Sequence, residues 1–131
     1  MTQVVVPVRY PLSKRSRRTL GEAIDIAEES GSSLTVLHVD LYHDSHNVTR
    51  RELKQAVEHE FGRLANVRYV IRRGFIVEET ILEEVAAEHA DLVVIGSKQA
   101  SRWHRLLQWF LDEPNVESFL REKLDCEVIT V

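Results

Sequence analysis

The basic residues of this chain are unevenly placed, and their spacing suggests one kind of chemistry. Arg9, Lys14, Arg15, Arg17 and Arg18 follow a valine-rich strand, Arg72 and Arg73 close another, and Lys98, Arg102 and Arg105 follow a third. These are most of the 17 Lys and Arg residues in a chain of net charge −4. Cations gathered at the carboxyl ends of strands point to an anion site, with Arg9 and Lys98 converging on it from neighbouring strands. Charged loops exposed to water are the plainer reading of the same pattern. No nucleophile with its base can be nominated: there is no Gly-x-Ser-x-Gly elbow and no Walker sequence, and the single cysteine, Cys126, has no obvious histidine partner. It reads as a buried structural thiol. His43-Asp44-Ser45-His46 looks like a metal cluster but sits in a polar loop without a helically spaced third ligand, so no metal is expected. Glu28-Glu29 and Glu83-Glu84 read as solvated helix faces.

The elements that must position the cations centre on Asp91-Leu92-Val93-Val94-Ile95-Gly96-Ser97. Four successive apolar residues read as a short parallel strand buried on both faces, broken at its carboxyl end by Gly96-Ser97. Before it the chain alternates strands and helices. Strands are expected over Gln3–Val8, Ser33–Val39 and Val67–Arg72, and helices over Ser16–Ser30, from the Thr49/Glu52 capping box to Phe61, and over Val77–Ala90. Asp40 to Asn47 reads as a loop. After the central strand come a helix with Ser101 as its N-cap, a helix over Asn115–Leu124 and a strand over Cys126–Val131. This order predicts an α/β fold: a doubly wound parallel sheet with helices on both faces, in a single domain over residues 1–131.

Composition bounds the partners. Apolar residues make up 44% and charged residues 29%, the balance of an ordinary globular domain. A net negative charge argues against a nucleic-acid or membrane-surface role, and no apolar run is long enough to span a bilayer. Met1 to Pro7 has no basic n-region, and the lone cysteine suits a reducing cytoplasm.

Several pieces, in order, resemble the universal stress protein family. Val6-Pro7-Val8 is similar to its first strand, Ser16-Arg17-Arg18-Thr19-Leu20 to the start of its first helix, and Leu34-Thr35-Val36-Leu37-His38-Val39 to its second strand. Ala90-Asp91-Leu92-Val93-Val94-Ile95-Gly96-Ser97 resembles the fourth strand and Cys126 to Val131 the last. The resemblance implies five strands in the order 3-2-1-4-5, similar to the adenine nucleotide alpha hydrolases. It also implies a homodimer through the last strand, Glu127, Val128, Ile129, Thr130 and Val131. Its ATP-binding branch carries Gly, two residues, Gly, nine residues, then Gly with Ser or Thr, glycines that let backbone N–H groups reach phosphate. Here Gly96 fits the first position, Gln99 takes the second, and the final pair falls on Trp109-Phe110, or on Glu113-Pro114 when shifted by one helical turn. Arg9 stands where an acidic residue usually meets the nucleotide. The resemblance therefore implies a dimeric, non-enzymatic regulatory or adaptor domain that does not take ATP in the usual way and needs no cofactor. The alternative is a nucleotide or anion binder using Pro7, Arg9, Val39, Gly96, Ser97, Lys98 and Arg102.

The segment from Ser101 to Leu111 departs most from that pattern. Trp103, Leu106, Leu107, Phe110 and Leu111 form one apolar helical stripe, with Trp109 off it. Such a helix is expected to close over the carboxyl ends of the first and fourth strands, with Trp103 or Phe110 in the nucleotide space. Docking of a protein partner through Trp103, Trp109 and Phe110 is the competing expectation.

Overall fold

The structure, a computed structural model, describes residues 2–44, 47–110 and 116–131; at 109, 110 and 116–118 it describes the backbone alone. Strands β1 (Gln3–Pro7), β2 (Ser33–Leu41), β3 (Val67–Gly74), β4 (Leu92–Ile95) and β5 (Glu127–Thr130) pair in one parallel sheet of order β3-β2-β1-β4-β5. Between them lie α1 (Lys14–Ser30), α2 (Arg50–Phe61), α3 (Val77–Ala87), α4 (Ser97–Phe110) and α5 (Val116–Leu124). The doubly wound α/β fold and the 3-2-1-4-5 order are as expected.

Alternation along the strands builds two cores. Val4, Val6, Leu34, Val36 and Val94 face α1 and α2, while Val5, Leu37, Val93 and Ile95 face α3, α4 and α5. Strands that are apolar on both faces need helices on both, so α1 and α2 cover one face and α3, α4 and α5 the other. Caps fix where the helices begin. Ser13 accepts the backbone N–H of Ser16 at the start of α1, and Thr49 and Glu52 form the full capping box of α2.

Three boundaries differ from expectation. β2 continues to Leu41 because Asp40 and Leu41 still pair with Arg73 and Gly74 of β3, shortening the expected loop. α3 stops at Ala87, and His89 turns left-handed with φ 51°. α4 starts at Ser97, directly after Gly96, so Ser101 is not its N-cap; its Oγ donates instead to the Ser97 carbonyl one turn back, at 3.1 Å. Residues 97–100 carry no helix breaker, so the helix propagates back to the glycine that ends β4.

Candidate functional site

Gly96 lies at the switch point, where β4 hands the chain to α4 beside β1. A side chain there would meet Thr19 of α1: a Cβ on Gly96 would stand 3.3 Å from Thr19 Oγ1. Thr19 is buried, and its hydroxyl donates to the Arg15 carbonyl at 3.0 Å. The second turn of α1 therefore closes against the strand end, a contact with no marker in the sequence beyond the glycine itself.

On the outer side of α4 a cleft of about 360 Å³ is lined by Ser97, Lys98, Ser101, Arg102 and Arg105. Spacings of three and four residues put these side chains on one face of the helix. Its three cations have no ion-pair partner among the described residues. Of the candidate residues the cleft brings together Ser97, Lys98 and Arg102, and it adds Ser101 and Arg105. Gly96 adjoins it in sequence. Arg9, Pro7 and Val39 do not line it. Arg9 is exposed just past β1, its backbone N–H on Ser16 Oγ at 3.0 Å, while Pro7 and Val39 are half-buried strand residues that pair with Leu37 and Arg72.

The opposite face of α4 is anchored by Trp103. Its side chain is 0% exposed, packs with Val5, Leu37, Ile81, Ile95 and Leu107, and donates its indole N–H to the Glu78 carbonyl of α3 at 2.9 Å. A fully buried Trp103 cannot present a docking surface, so that part of the partner expectation is corrected. The side chains of Trp109 and Phe110, with all of Leu111, lie outside the described residues, as do Glu113 and Pro114. Ser45 and His46 of the suspected metal string lie outside them too, while His43 is exposed.

Two further expectations are corrected by packing. Arg72 is not an unpaired cation at the anion site: it lies within β3 and bonds Glu84 at 3.0 Å and Glu83 at 3.5 Å. Glu84 is not on a solvated face, being only 6% exposed under α3. The signal was present in the spacing, because Ile81, Glu84, Val85 and Glu88 share one helical face and Arg68 and Arg72 one strand face. The sequence pattern marks His38 only as part of the second strand. It is buried, with Nδ1 3.1 Å from the Val8 carbonyl and Nε2 3.0 Å from Asp40 Oδ1, while Asp40 Oδ2 accepts the Val48 N–H. That chain of bonds ties the end of β1 to the loop after β2. Burial, aided by the charges of Asp91, Glu127 and Asp125, pushes the Cys126 thiol up to about 11, which makes it an inert core group.

The family model for universal stress proteins matches residues 1–131, the whole of the chain. The chain belongs to the universal stress protein family. No curated protein matches it closely enough to count as a relative. Among solved structures, it is similar to a universal stress protein in complex with cAMP at 19% identity, covering 98% of this chain and 96% of that one with a TM-score of 0.62. A universal stress protein family member from Burkholderia pseudomallei shares 17% identity over 99% and 95% of the two chains, TM-score 0.67. UspA from Lactobacillus plantarum shares 24% over 99% and 97%, TM-score 0.56. At these identities the likeness establishes the fold. Among the described residues no helix is long and apolar enough to cross a membrane.

Proposed function

We propose that this universal stress protein is a non-enzymatic, dimeric regulatory or adaptor domain in stress response that does not hold ATP in the family's usual way. The supporting observation is α4. Helix begins at Ser97 immediately after Gly96, and its buried face is bolted to α3 by Trp103, so the segment that would carry phosphate-loop glycines is regular helix. A helical backbone spends its N–H groups on its own carbonyls beyond the first turn, leaving few to cradle a triphosphate. A thermal-shift panel of ATP, AMP, cAMP, inorganic phosphate and sulfate tests this. ATP is expected to leave Tm unchanged. A site binding ATP at about 100 times its dissociation constant adds roughly 2.7 kcal/mol, on the order of 10 °C for a domain of this size, and such a shift would overturn the reading.

A second reading has its own support, the unpaired cations of the α4 cleft. Lys98, Arg102 and Arg105, with Ser97 and Ser101 as hydroxyl donors, suit a small phosphate- or sulfate-bearing anion. Stabilisation by phosphate or sulfate, lost in Arg102→Ala, favours it over the first reading.

The dimer rests on β5. It is an edge strand of the sheet, Ile129 is exposed, and a two-fold partner strand would satisfy its free backbone groups. Light scattering at tens of micromolar is expected to give a dimer and Ile129→Lys a monomer. A monomeric wild type at that concentration removes the dimer from the proposal.

A further inference from the structure

Beneath α3 lies a cluster of charges that the cleft does not use. Glu84 and Glu88, one helical turn apart, both point at the sheet, and their side chains are 8% and 6% exposed. Glu84 Oε1 accepts from Arg72 at 3.0 Å. Glu88 Oε1 is crowded with donors: Arg68 at 2.7 Å, Thr35 Oγ1 at 2.6 Å and Gln3 Nε2 at 3.0 Å. Glu88 Oε2 is buried with no hydrogen-bond partner among the described residues. A buried carboxylate oxygen without a partner is costly, and two adjacent buried carboxylates repel each other. A protonated Glu84 removes both costs, because its O–H can donate to Glu88.

We propose that a protonated Glu84 hydrogen-bonds Glu88, and that this proton is a pH-operated clasp holding α3 on the sheet. The groups facing the pair are Arg68 and Arg72 from β3, Thr35 from β2 and Gln3 from β1, whose own backbone N–H bonds Asp91. Glu83 shares Arg72 from the same helix, and α4 meets α3 through the uncharged indole of Trp103. Burial first, then the hydrogen bond and charge of Glu88, hold the Glu84 carboxyl up at about 7, while Arg72 pulls it down. A carboxyl raised in the folded state binds its proton more tightly folded than unfolded. Its contribution is complete below the ordinary value of 4.5 and is lost as pH rises to about 7. Proton loss leaves two carboxylates under one turn of helix, with Arg68 the more exposed of the two arginines that balance them. α3 then loosens, and α4, hung from Glu78 by Trp103, loosens with it.

The test is a carbon-detected titration of the glutamate carboxyls in the wild-type protein. Glu84 is expected to titrate near 7, and the Trp103 indole N–H resonance and the exchange protection of the α3 amides to move with the same midpoint. Glu84→Gln keeps an N–H donor for Glu88 but cannot titrate. It is expected to abolish that midpoint in the indole resonance and to flatten the loss of stability between 4.5 and about 7. A Glu84 carboxyl titrating near 4.5, or a Glu84→Gln protein whose indole still titrates as in wild type, overturns the clasp. Should Glu84→Gln fail to fold, the wild-type carboxyl titration decides alone.

Discussion

Trp103→Ala is expected to lower Tm by roughly 10–20 °C, the equivalent of about 3–5 kcal/mol for deleting a fully buried aromatic side chain. Two terms add. The indole is 0% exposed and touches both α3 and the central strands, so its removal leaves a cavity that the surrounding side chains cannot close. Its N–H also bonds the Glu78 carbonyl, a link of about 1 kcal/mol between α4 and α3. Trp103→Phe keeps most of the packing and loses the hydrogen bond, and should cost less than half as much. The cleft residues ride on the other face of the same helix, so any phosphate or sulfate stabilisation should vanish in Trp103→Ala while surviving in Trp103→Phe. Calorimetry of the three proteins checks the order. A Trp103→Ala protein melting within about 2 °C of wild type would mean that the anchor is not where α4 gets its stability.

What the sequence shows of this fold, and what it hides, follows from how far each cause lies along the chain. The Leu92–Ile95 run announces a strand buried on both faces because its signal is contiguous, and the Thr49/Glu52 box marks a helix start because both partners lie within one turn. The strand order is implied by the family resemblance and not by residue pattern, since neighbouring strands are joined by crossovers that leave no pairing mark in the sequence. The start of α4 is not legible in the sequence because Ser101 is as good a cap by residue type as it is an interior helix serine, and only the path out of β4 decides between them. Residue type alone places Glu84 in water. Its partner Arg72 is twelve residues away on a different element, yet both occupy core positions of their own periodicities, and that coincidence was readable. Arg9 does not line the cleft that holds Lys98, for a different reason. Adjacent strand ends bring backbones together, but Arg9 lies past the end of β1 while Lys98 is already wound into α4.

Gly74→Ala is expected to destabilise the domain by several kcal/mol, and Thr80 explains why a single methyl group has so large an effect. A Cβ on Gly74 would stand 2.0 Å from Thr80 Oγ1, 3.2 Å from its Cβ and 3.4 Å from its Cγ2. Thr80 is 3% exposed in the first turn of α3, and its hydroxyl is committed to the Ile76 carbonyl at 2.9 Å. Rotating that hydroxyl away breaks its bond inside a packed site, so the clash must instead push α3 off the end of β3. Overpacking of this kind typically costs about 1–3 kcal/mol, and a contact far inside van der Waals distance belongs at or above the top of that range. The backbone at Gly74 is otherwise undemanding: its φ is not left-handed, so no torsional penalty enters. The prediction is thus one of space alone, and a second substitution isolates it. Thr80→Ala removes Oγ1 and Cγ2, and the double variant Gly74→Ala/Thr80→Ala should recover most of the loss, with the remaining 3.2 Å contact to Cβ accounting for the deficit. Urea unfolding of the two single variants and the double one measures the coupling. Additive losses would show that α3 does not seat against Gly74 in this way, and with it would fall the placement of the helix that carries Glu84 and Glu88 and receives Trp103.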